Sequence, residues 1–502
     1  MLEAMSEDID LGGIKVPAKD WEATPESIKL VLMFLLEERN QMKLKIESLE
    51  EKLNKNSRNS SIPPSKDGFK AKAKHQTQRK PLKIQGNRQK RVQERKLYEA
   101  EDCQELQIRA EKPSNCKACG HELQGEDPQP LRHQIIDLPV LKPTVIEHRL
   151  HELECEHCGA KTRAVLPEEL AEKCYGARLA GFVAFLSGGS RQSFRQGQMF
   201  LSQVFGIEMS RGTIQRMRQE VSEAVASSVD EAKRYVQQQD VINCDETGYR
   251  QQNKDGNNPD NKKAWIWVLV TPLVSVFTIA LSRGQEIARK LIGESFTGYV
   301  GSDRYSSYNW VPEQQRQLCW SHLLRDFQAM AERTGVSKEI GESLLVRGYR
   351  LFHWWHRVRD GTMSPELFLQ AVELLRVGMR QELVEAAAIE IGTRETTPLA
   401  KTVRTCRNLL ALETALWTFV YQESVEPTNN SAERGLRFGV IWRDLTFGSQ
   451  SDEGSRFVER MLTVNASLKS QGRSILDFLT ESCLAARAGL QPPSLLPKSL
   501  NR

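Results

Sequence analysis

One stretch decides the fold: Val241-Ile242-Asn243-Cys244-Asp245, an apolar run that ends in a carboxylate. Two further runs, 265–271 and 274–281, follow it and are rich in β-branched and aromatic residues. The loop 251–263, rich in Asn, Asp and Gly, separates the first run from the second. Short runs of this composition, bounded by turn residues, are typical of strands. The sequence therefore predicts three successive strands, which we expect to be antiparallel.

The chain changes character after these three runs. Residues 285–293 predict a helix, a fourth strand is expected to end at Asp303, and 316–320 is a candidate fifth strand. The following hundred or so residues, to 423, show a helical pattern rich in Leu and Ala. After Pro427, the stretch Thr428-Asn429-Asn430-Ser431 is a good helix start, which places Glu433 in the first turns of a helix.

Three acids, Asp245, Asp303 and Glu433, occupy these element ends. Two carboxylates from strand ends and one from a helix can converge on a pair of hard cations, Mg²⁺ or Mn²⁺, which activates oxygen nucleophiles against phosphodiesters. Each acid also has a local alternative. Asp245 could pair with Arg250, Asp303 could cap the next helix, and Glu433 could pair with Arg437. An ionised aspartate in an apolar strand needs a compensating cation, however, and a metal serves all three acids at once.

A heptad pattern lies near the N-terminus. Its seam is apolar at seven of eight positions, with Arg39 the exception: Ile28, Leu32, Leu35, Arg39, Met42, Ile46, Leu49 and Leu53. This pattern predicts a short coiled coil that joins two copies of the chain. At under four heptads, an amphipathic helix packed on its own chain stays an open alternative.

A strongly basic segment follows the seam. Residues 52–96 hold fifteen Lys or Arg, among them Lys72 and Lys74, against two acids, although the whole chain carries only +5. With almost no large apolar residues, this segment cannot bury enough surface to fold alone, so we expect a mobile arm. Its natural partner is a nucleic acid backbone, and a solvated linker is the alternative.

Two Cys-x-x-Cys pairs predict a structural zinc site. Each pair, Cys116 with Cys119 and Cys155 with Cys158, precedes a glycine that relieves the strain of a tight turn, and two such knuckles complete a tetrahedral Zn²⁺ site. Between them, 133–138 and 144–153 resemble strands that would pair as a hairpin. Four unligated thiols are the alternative.

Residues 175–239 are helical in pattern throughout. This region has the pattern of a helix-turn-helix: a helix over 193–204, a turn at Gly206 and a second helix capped by Ser210. In that arrangement Arg211, Gln215, Arg216 and Arg218 could face DNA, whereas two helices joined by a glycine turn are commonplace in any helical domain.

These motifs, taken together and in order, resemble the transposases of the "sixty-six" group of bacterial insertion sequences. The resemblance covers nearly the whole chain: the leucine-rich helix, the 59–67 linker, the double zinc knuckle, Asp245-Glu246-Thr247, the 302–308 and 319–327 motifs, and Asn429-Asn430-Ser431-Ala432-Glu433-Arg434. It departs from the family at Arg304 and Leu324, where the family often has Gly and a basic residue. Neither position is a metal ligand.

The resemblance implies a DDE transposase. Asp245, Asp303 and Glu433 would be its catalytic triad with Mg²⁺ or Mn²⁺, and the knuckle cysteines its zinc-binding domain. Double-stranded DNA, as terminal inverted repeats and target, would be the partner, with His322, Arg325 and Arg434 among the contacts. A homodimer or higher synaptic oligomer is expected, accessory proteins encoded by the element are possible partners, and the compartment would be the bacterial cytoplasm with its nucleoid.

The fold class expected is multidomain α+β, with an RNase H-like α/β core that is interrupted by an all-α insertion. The expected segments are a leucine-rich coiled-coil region (1–55), a basic linker (56–96), a zinc-binding domain (97–165), a helical domain like a helix-turn-helix (166–238), the core's first part (239–320), the insertion (321–426), the core's second part (427–480) and a tail (481–502).

Composition leaves several functions open and excludes others. No stretch approaches the ~18 apolar residues of a membrane span, and the first twenty residues lack the apolar region of a secretion signal. Ten cysteines in 502 residues fit a reduced compartment better than a disulfide framework. Two alternatives to strand transfer stay open: a catalytically inactive DNA-binding and assembly protein, and an RNase H-fold nuclease that does not join DNA.

Overall fold

The computed structural model describes residues 97–167 and 174–497, with the short segments 9–10, 15–25 and 28–29 and the single positions 32, 35, 39 and 42. It divides into two compact units. The first comprises 1–74, 150–197 and 210–502, and the second comprises 75–149 and 198–209. Among the described helices, none combines the length and apolarity that crossing a bilayer requires.

A five-stranded mixed sheet forms the centre of the first unit. Its strands, in chain order, are β1 (Val241–Tyr249), β2 (Ala264–Val270), β3 (Ser275–Ala280), β4 (Tyr299–Ser302) and β5 (Arg316–Leu318). Across the sheet the order is β3-β2-β1-β4-β5. The first three strands pair antiparallel, while β4 lies parallel to β1 and β5 parallel to β4. All five strands predicted from the sequence are confirmed.

The central strand β1 has two different faces. Ile242, Cys244 and Glu246 are buried, and the residues between them are only partly so, as the period of two requires. Asp245 lies opposite Val268 of β2, beyond the point where β1 pairs with β4. The register thus places Asp245 in a largely apolar sheet close to the end of β4.

Thirteen helices of seven residues or more lie in the described part of the chain. In order they are α1 (Ala177–Gly188), α2 (Phe194–Phe205), α3 (Arg211–Ala224), α4 (Ala226–Val236), α5 (Gln285–Ile292), α6 (Trp320–Ala331), α7 (Val336–Arg359), α8 (Pro365–Ala388), α9 (Pro398–Ala411), α10 (Thr414–Tyr421), α11 (Asn430–Thr446), α12 (Asp452–Ser470) and α13 (Ile475–Arg487).

The helices α6 to α10 share a core of their own. It contains two large aromatic side chains, Trp320 and Trp417, whose ring centroids lie 5.2 Å apart, with Phe327, Leu344 and Val372 also fully buried. Burial of aromatic and aliphatic side chains on this scale is what holds a helical segment together. This agrees with the helical pattern of 321–423.

Helix α12 covers the outer edge of β3. The backbone N–H groups of Ser275, Phe277 and Ile279 donate to the side chains of Ser467 (3.1 Å), Thr463 (2.9 Å) and Glu459 (2.9 Å). The match is geometric: four residues of helix rise about 6 Å, and two residues of strand advance about 6.6 Å. Three side chains one helical turn apart therefore satisfy three successive outward amides.

Helix α10 covers the opposite edge of the sheet. The Thr418 hydroxyl donates to the Arg316 carbonyl at 2.6 Å, and the Phe419 N–H donates to the Gln317 side chain at 2.8 Å. Both outer strands are thus bonded to helices and not left with exposed polar backbone.

The predicted hairpin at 133–138 and 144–153 is wrong. Residues 123–151 form no strand, and only Glu152–Glu154 pairs, with Lys161–Arg163. A run of β-formers needs a ladder partner, and Pro139 and Pro143 each lack a backbone donor. Apolar side chains such as Leu131, which is 99% exposed, consequently stay in solvent.

The described seam positions near the N-terminus are helical. Ile28, Leu35 and Met42 are 48%, 53% and 59% exposed. The rest of the seam, Ile46, Leu49 and Leu53, lies outside the described residues, as does the basic segment with Lys72 and Lys74.

Candidate active site

Asp245 lies within β1 and is half-buried, as are the two other predicted acids. One of its carboxylate oxygens accepts from the N–H of Glu246 at 2.9 Å. Burial raises the pKa of Asp245 well above its usual range, and the charges of Glu246, Asp303 and Glu433 raise it further. The structure therefore brings the two other predicted acids within electrostatic reach of Asp245.

Asp303 directly follows β4. One carboxylate oxygen accepts from the N–H of Tyr305 at 2.9 Å, which fixes the side chain at the start of the next turn. The buried Arg316 donates to the Asp303 carbonyl at 2.9 Å, and burial lowers the pKa of Arg316 to about 10. The bond from Tyr305 closes a local turn and does not cap the next helix, because the short helix Ser306–Tyr308 has Tyr305 as its N-cap and no side-chain cap bond. It leaves the second carboxylate oxygen of Asp303 for another partner.

Glu433 lies in the first turn of α11. The helix start is tied to the sheet, because the side-chain amide of Asn429 donates to the carbonyl of Cys244 at 3.2 Å. Two glycines let α11 lie close to β2: a Cβ on Gly435 would be 3.3 Å from Val270, and one on Gly439 would be 3.0 Å from Ile266. These contacts place the start of α11, and with it Glu433, next to the strand that contains Asp245.

Glu433 has an arginine and a histidine of α6 as neighbours. The Arg325 guanidinium lies 3.4 Å and His322 Nδ1 lies 3.5 Å from one Glu433 oxygen. Burial lowers the pKa of His322, and the charge of Arg325 lowers it further. The alternative pair between Glu433 and Arg437 is not formed in the described structure, nor is a pair between Asp245 and Arg250. His322 and Arg325, predicted as DNA contacts, thus face a predicted metal ligand.

Cys319 was missed by the sequence reasoning. Its sulfur, a His322 nitrogen and a Glu433 oxygen lie within 4.8 Å of one another, which is close enough for a shared ion. Burial raises the pKa of the Cys319 thiol to about 11, so the sulfur is protonated at neutral pH and accepts only a long bond from the Asn429 N–H. Metals bind the thiolate form of cysteine, so a buried thiol that deprotonates with difficulty is a poor metal ligand. The one available signal was its spacing, Cys319-Trp320-Ser321-His322.

A fourth carboxylate, Glu246, lies beside Asp245 and is already neutralised. Arg283 donates to it at 2.8 Å and 2.7 Å, and the Tyr308 hydroxyl also donates to it. Burial raises the pKa of Glu246, Asp303 raises it further, and Tyr308 and Arg283 oppose them. Glu246 follows Asp245 in β1, so the alternation of the strand directs it to the other face of the sheet. Its partners Arg283 and Tyr308 were not identified from the sequence. With Glu246 satisfied, three acids are left to hold an ion.

The donor set of these three acids fits a hard cation. Asp245, Asp303 and Glu433 offer only carboxylate oxygens, which Mg²⁺ and Mn²⁺ prefer. A buried carboxylate whose pKa is raised by two others gains most from a bound cation, which would lower that pKa again. The residues present therefore suit a divalent ion of this class.

The two cysteine pairs form similar turns in separate units. In each, the glycine N–H donates to the first cysteine's carbonyl at 2.8 Å, and Gly120 and Gly159 have φ of +76° and +70°. Bonds from the N–H groups of Ala118 and Cys119 lower the pKa of Cys116, and those of Cys158 and His157 lower the pKa of Cys155. Each turn thus favours thiolate, the form that binds Zn²⁺. A single site built from both pairs stays a prediction.

The other predicted DNA contacts differ in exposure. Arg211 and Arg216 on α3 and Arg434 on α11 are exposed. Arg218 is not available, because it is stacked 3.9 Å from the Phe457 ring and 4.5 Å from the Phe194 ring, and burial lowers its pKa to about 10. The prediction for Arg218 is therefore wrong, since its long stem fills an aromatic gap in the core.

Comparison with known proteins gives two family matches and one curated relative. A family model described as "Transposase IS66 family" matches residues 193–456, a range that contains all three acids. A second model, described as a family of unknown function (DUF6444), matches 17–97. The uncharacterized protein y4qI of Sinorhizobium fredii is 23% identical over 403 residues, which cover 75% of this chain and 71% of that protein.

Proposed function

We propose that this chain, which belongs to the IS66 family of transposases, is a metal-dependent DDE enzyme that cleaves DNA at transposon ends and joins the freed end to target DNA. One observation carries the proposal: the pairing of β1 with β4 and the bond from Asn429 to the Cys244 carbonyl bring together the segments that hold Asp245, Asp303 and Glu433. These acids are separated by 58 and then 130 positions in the sequence, and a cluster of like charges assembled from distant segments is typical of a functional site.

The sheet topology supports an RNase H-like catalytic core. Three antiparallel strands continue into two parallel ones in the order β3-β2-β1-β4-β5, with helices packed on it. In this proposal α6 to α10 are an all-α insertion between the fifth strand and the helix that bears Glu433. The zinc-binding domain (97–165) and the helical domain (166–238) precede the core.

The proposed chemistry follows from what each side chain can do. Asp245, Asp303 and Glu433 would hold Mg²⁺ or Mn²⁺. Such ions, when bound as a pair, activate an oxygen nucleophile and stabilise the leaving oxygen of a phosphodiester. Arg325 and His322 lie beside the Glu433 carboxylate and would hold it in place. The nucleophile is first water, which nicks the strand, and then the new 3′-hydroxyl, which joins it to target DNA.

The remaining partners are assigned on charge and exposure. Arg434, Arg211 and Arg216 are exposed cations suited to DNA phosphates, and Lys72 and Lys74 belong to the basic arm. The four knuckle cysteines would hold a structural Zn²⁺. The exposed seam residues, among them Ile28 and Met42, support a homodimer or a higher synaptic oligomer through a coiled coil. Terminal inverted repeats, target DNA and accessory proteins of the element complete the proposed assembly in the bacterial cytoplasm.

The test is a strand-transfer assay with the purified chain, a labelled terminal repeat and Mg²⁺. Wild type should nick the repeat and form joined product, whereas Glu433→Gln and Asp245→Ala should bind the repeat without nicking it. Binding without nicking by wild type would instead favour a DNA-binding assembly protein. Nicking without joined product would favour a nuclease. Arg350→Ala, an exposed cation on α7, is a control that should leave both steps unchanged.

A further inference from the structure

An aromatic side chain on the catalytic helix lies between two cations from other elements. Phe438 of α11 has the Arg191 guanidinium 5.6 Å and the Lys469 ammonium 5.4 Å from its ring centroid. Arg191 comes from the connection between α1 and α2, and Lys469 from the last turn of α12. Three separate elements therefore converge on one ring.

Two further cations extend this cluster along α11 toward the acids. Arg434 and Arg437 are exposed, and they lie four and one positions before Phe438, so all three side chains share one face of the helix. Glu433 is the residue immediately before Arg434. Five residues of helix rise about 7.5 Å, which is close to the separation of neighbouring phosphates in a DNA strand. We call Arg191, Arg434, Arg437, Phe438 and Lys469 the Phe438 strip.

No described carboxylate compensates the positive charge of the Phe438 strip. In the part of the chain that the structure describes, none of its four cations lies within ion-pair distance of a carboxylate, although ion pairs are frequent elsewhere on this surface. The two cations over the ring repel each other, and two more follow on the same helix. A cluster of cations without carboxylate partners does not stabilise the fold, and it is typical of a surface that binds a polyanion.

Arg191 also adopts an unfavourable backbone conformation. Its φ is +58°, in the left-handed region that favours glycine, and it is one of three residues other than glycine with positive φ in the described chain. Such a conformation costs about 1 kcal/mol or more and persists where its surroundings enforce it. In this conformation the Arg191 guanidinium lies over the Phe438 ring.

We propose that the Phe438 strip binds the sugar-phosphate backbone of duplex DNA that flanks the scissile phosphate. This inference rests on the proposed function, because it takes the acids at Glu433 as the reaction centre. Phe438 positions the Arg191 and Lys469 cations through its ring face, and Arg434 and Arg437 continue the row toward Glu433. Because contacts to phosphates carry no sequence information, the strip would hold any duplex, whether terminal repeat or target.

The experiment measures how the affinity for a mixed-sequence duplex depends on salt. Each phosphate contact adds about 0.9 to the slope of log affinity against log salt, which is roughly eightfold in affinity at 0.1 M salt. Arg191→Gly with Lys469→Ala should therefore lower the slope by about two, and Arg437→Ala by about one. Arg191→Gly suits the positive φ and removes the cation without new strain. Lys401→Ala, an exposed lysine on α9, is the matched control.

The outcomes separate the strip from the proposed function. An unchanged slope in the double variant, with the same slope in wild type and Lys401→Ala, would overturn the strip and leave catalysis untouched. A reduced slope in a chain that never nicks DNA would support the strip while the proposed reaction fails. The basic arm contributes equally to every variant, so it cancels in the comparison. An unchanged far-ultraviolet circular dichroism spectrum checks that each variant is folded.

Discussion

The neutralisation of Glu246 by Arg283 gives the sharpest structural prediction. We consider Arg283→Met, which keeps an apolar stem against Trp265 and Tyr305 and removes the charge. Glu246 has a fully buried carboxylate, and Arg283 is 28% exposed. Without Arg283, a buried charge would face Asp245 and Asp303 with only the Tyr308 hydroxyl as a donor.

The magnitude follows from the geometry of the pair. Breaking a buried ion pair by removing one partner costs about 3–5 kcal/mol, and the partial exposure of Arg283 places the loss near the lower figure, about 3 kcal/mol. For a chain of 502 residues, whose entropy of unfolding is about 1 kcal/mol per kelvin, that corresponds to a fall of roughly 3 °C in melting temperature. The loss should be largest at pH 8. It should fade as the pH falls through the raised pKa of Glu246, because the variant then buries a neutral acid.

Scanning calorimetry at pH 8 and pH 5 measures this loss, and a double-mutant cycle isolates its cause. In a Glu246→Gln background, Arg283→Met should cost about 1 kcal/mol or less, because no buried charge is left behind. Arg289→Met is a matched control, since Arg289 also lies over an aromatic ring, 5.0 Å from Trp310, without a carboxylate partner. The reasoning is refuted if Arg283→Met destabilises the chain equally in both backgrounds.

Three further predictions follow from single contacts. Asp245→Asn keeps the side-chain oxygen that accepts from the Glu246 N–H and removes a charge that burial disfavours. The stability of wild type falls as the pH rises through the raised pKa of Asp245, so in metal-free buffer at pH 8 the variant should have a higher melting temperature than wild type. A lower melting temperature would contradict this. Cys155→Ser should reduce bound zinc from one equivalent to none by elemental analysis, whereas Cys174→Ser should retain it. Glu459→Ala should cost about 1–3 kcal/mol and speed hydrogen exchange at the Ile279 amide, and unchanged exchange would show that the bond is unimportant.

The strands of the sheet could be predicted because their apolar and β-branched residues indicate buried extended segments. The runs at 241–245 and 265–271 are apolar, β-branched and bounded by turn residues, and both are strands. The same reasoning fails at 133–138, where β-forming residues find no partner strand. A strand forms only when a second segment pairs with it, whereas the composition of a segment says nothing about its partner. The sequence also did not predict that α10 and α12 cover the two edges of the sheet, because this depends on how distant helices pack against the strands.

The candidate site could be predicted in part. The acids themselves stood out because a carboxylate in an apolar strand is costly and demands a reason. Their neighbours did not: the partners of Glu433 lie 108 and 111 positions away in the chain, on α6. Arg218 shows the opposite error, since a long side chain with a charged end was taken for a surface residue and lies between two aromatic rings.

The covered edges of the sheet constrain how copies of this chain can assemble. At one margin Ser467, Thr463 and Glu459 occupy the outward amides, and at the other Thr418 occupies a carbonyl. Neither margin can template a neighbouring molecule, so the described sheet cannot grow into a continuous intermolecular ribbon. If copies of the chain associate as proposed, their contacts would lie elsewhere than on the two margins of this sheet. An assembly of that kind could separate without breaking any backbone bonds of the sheet.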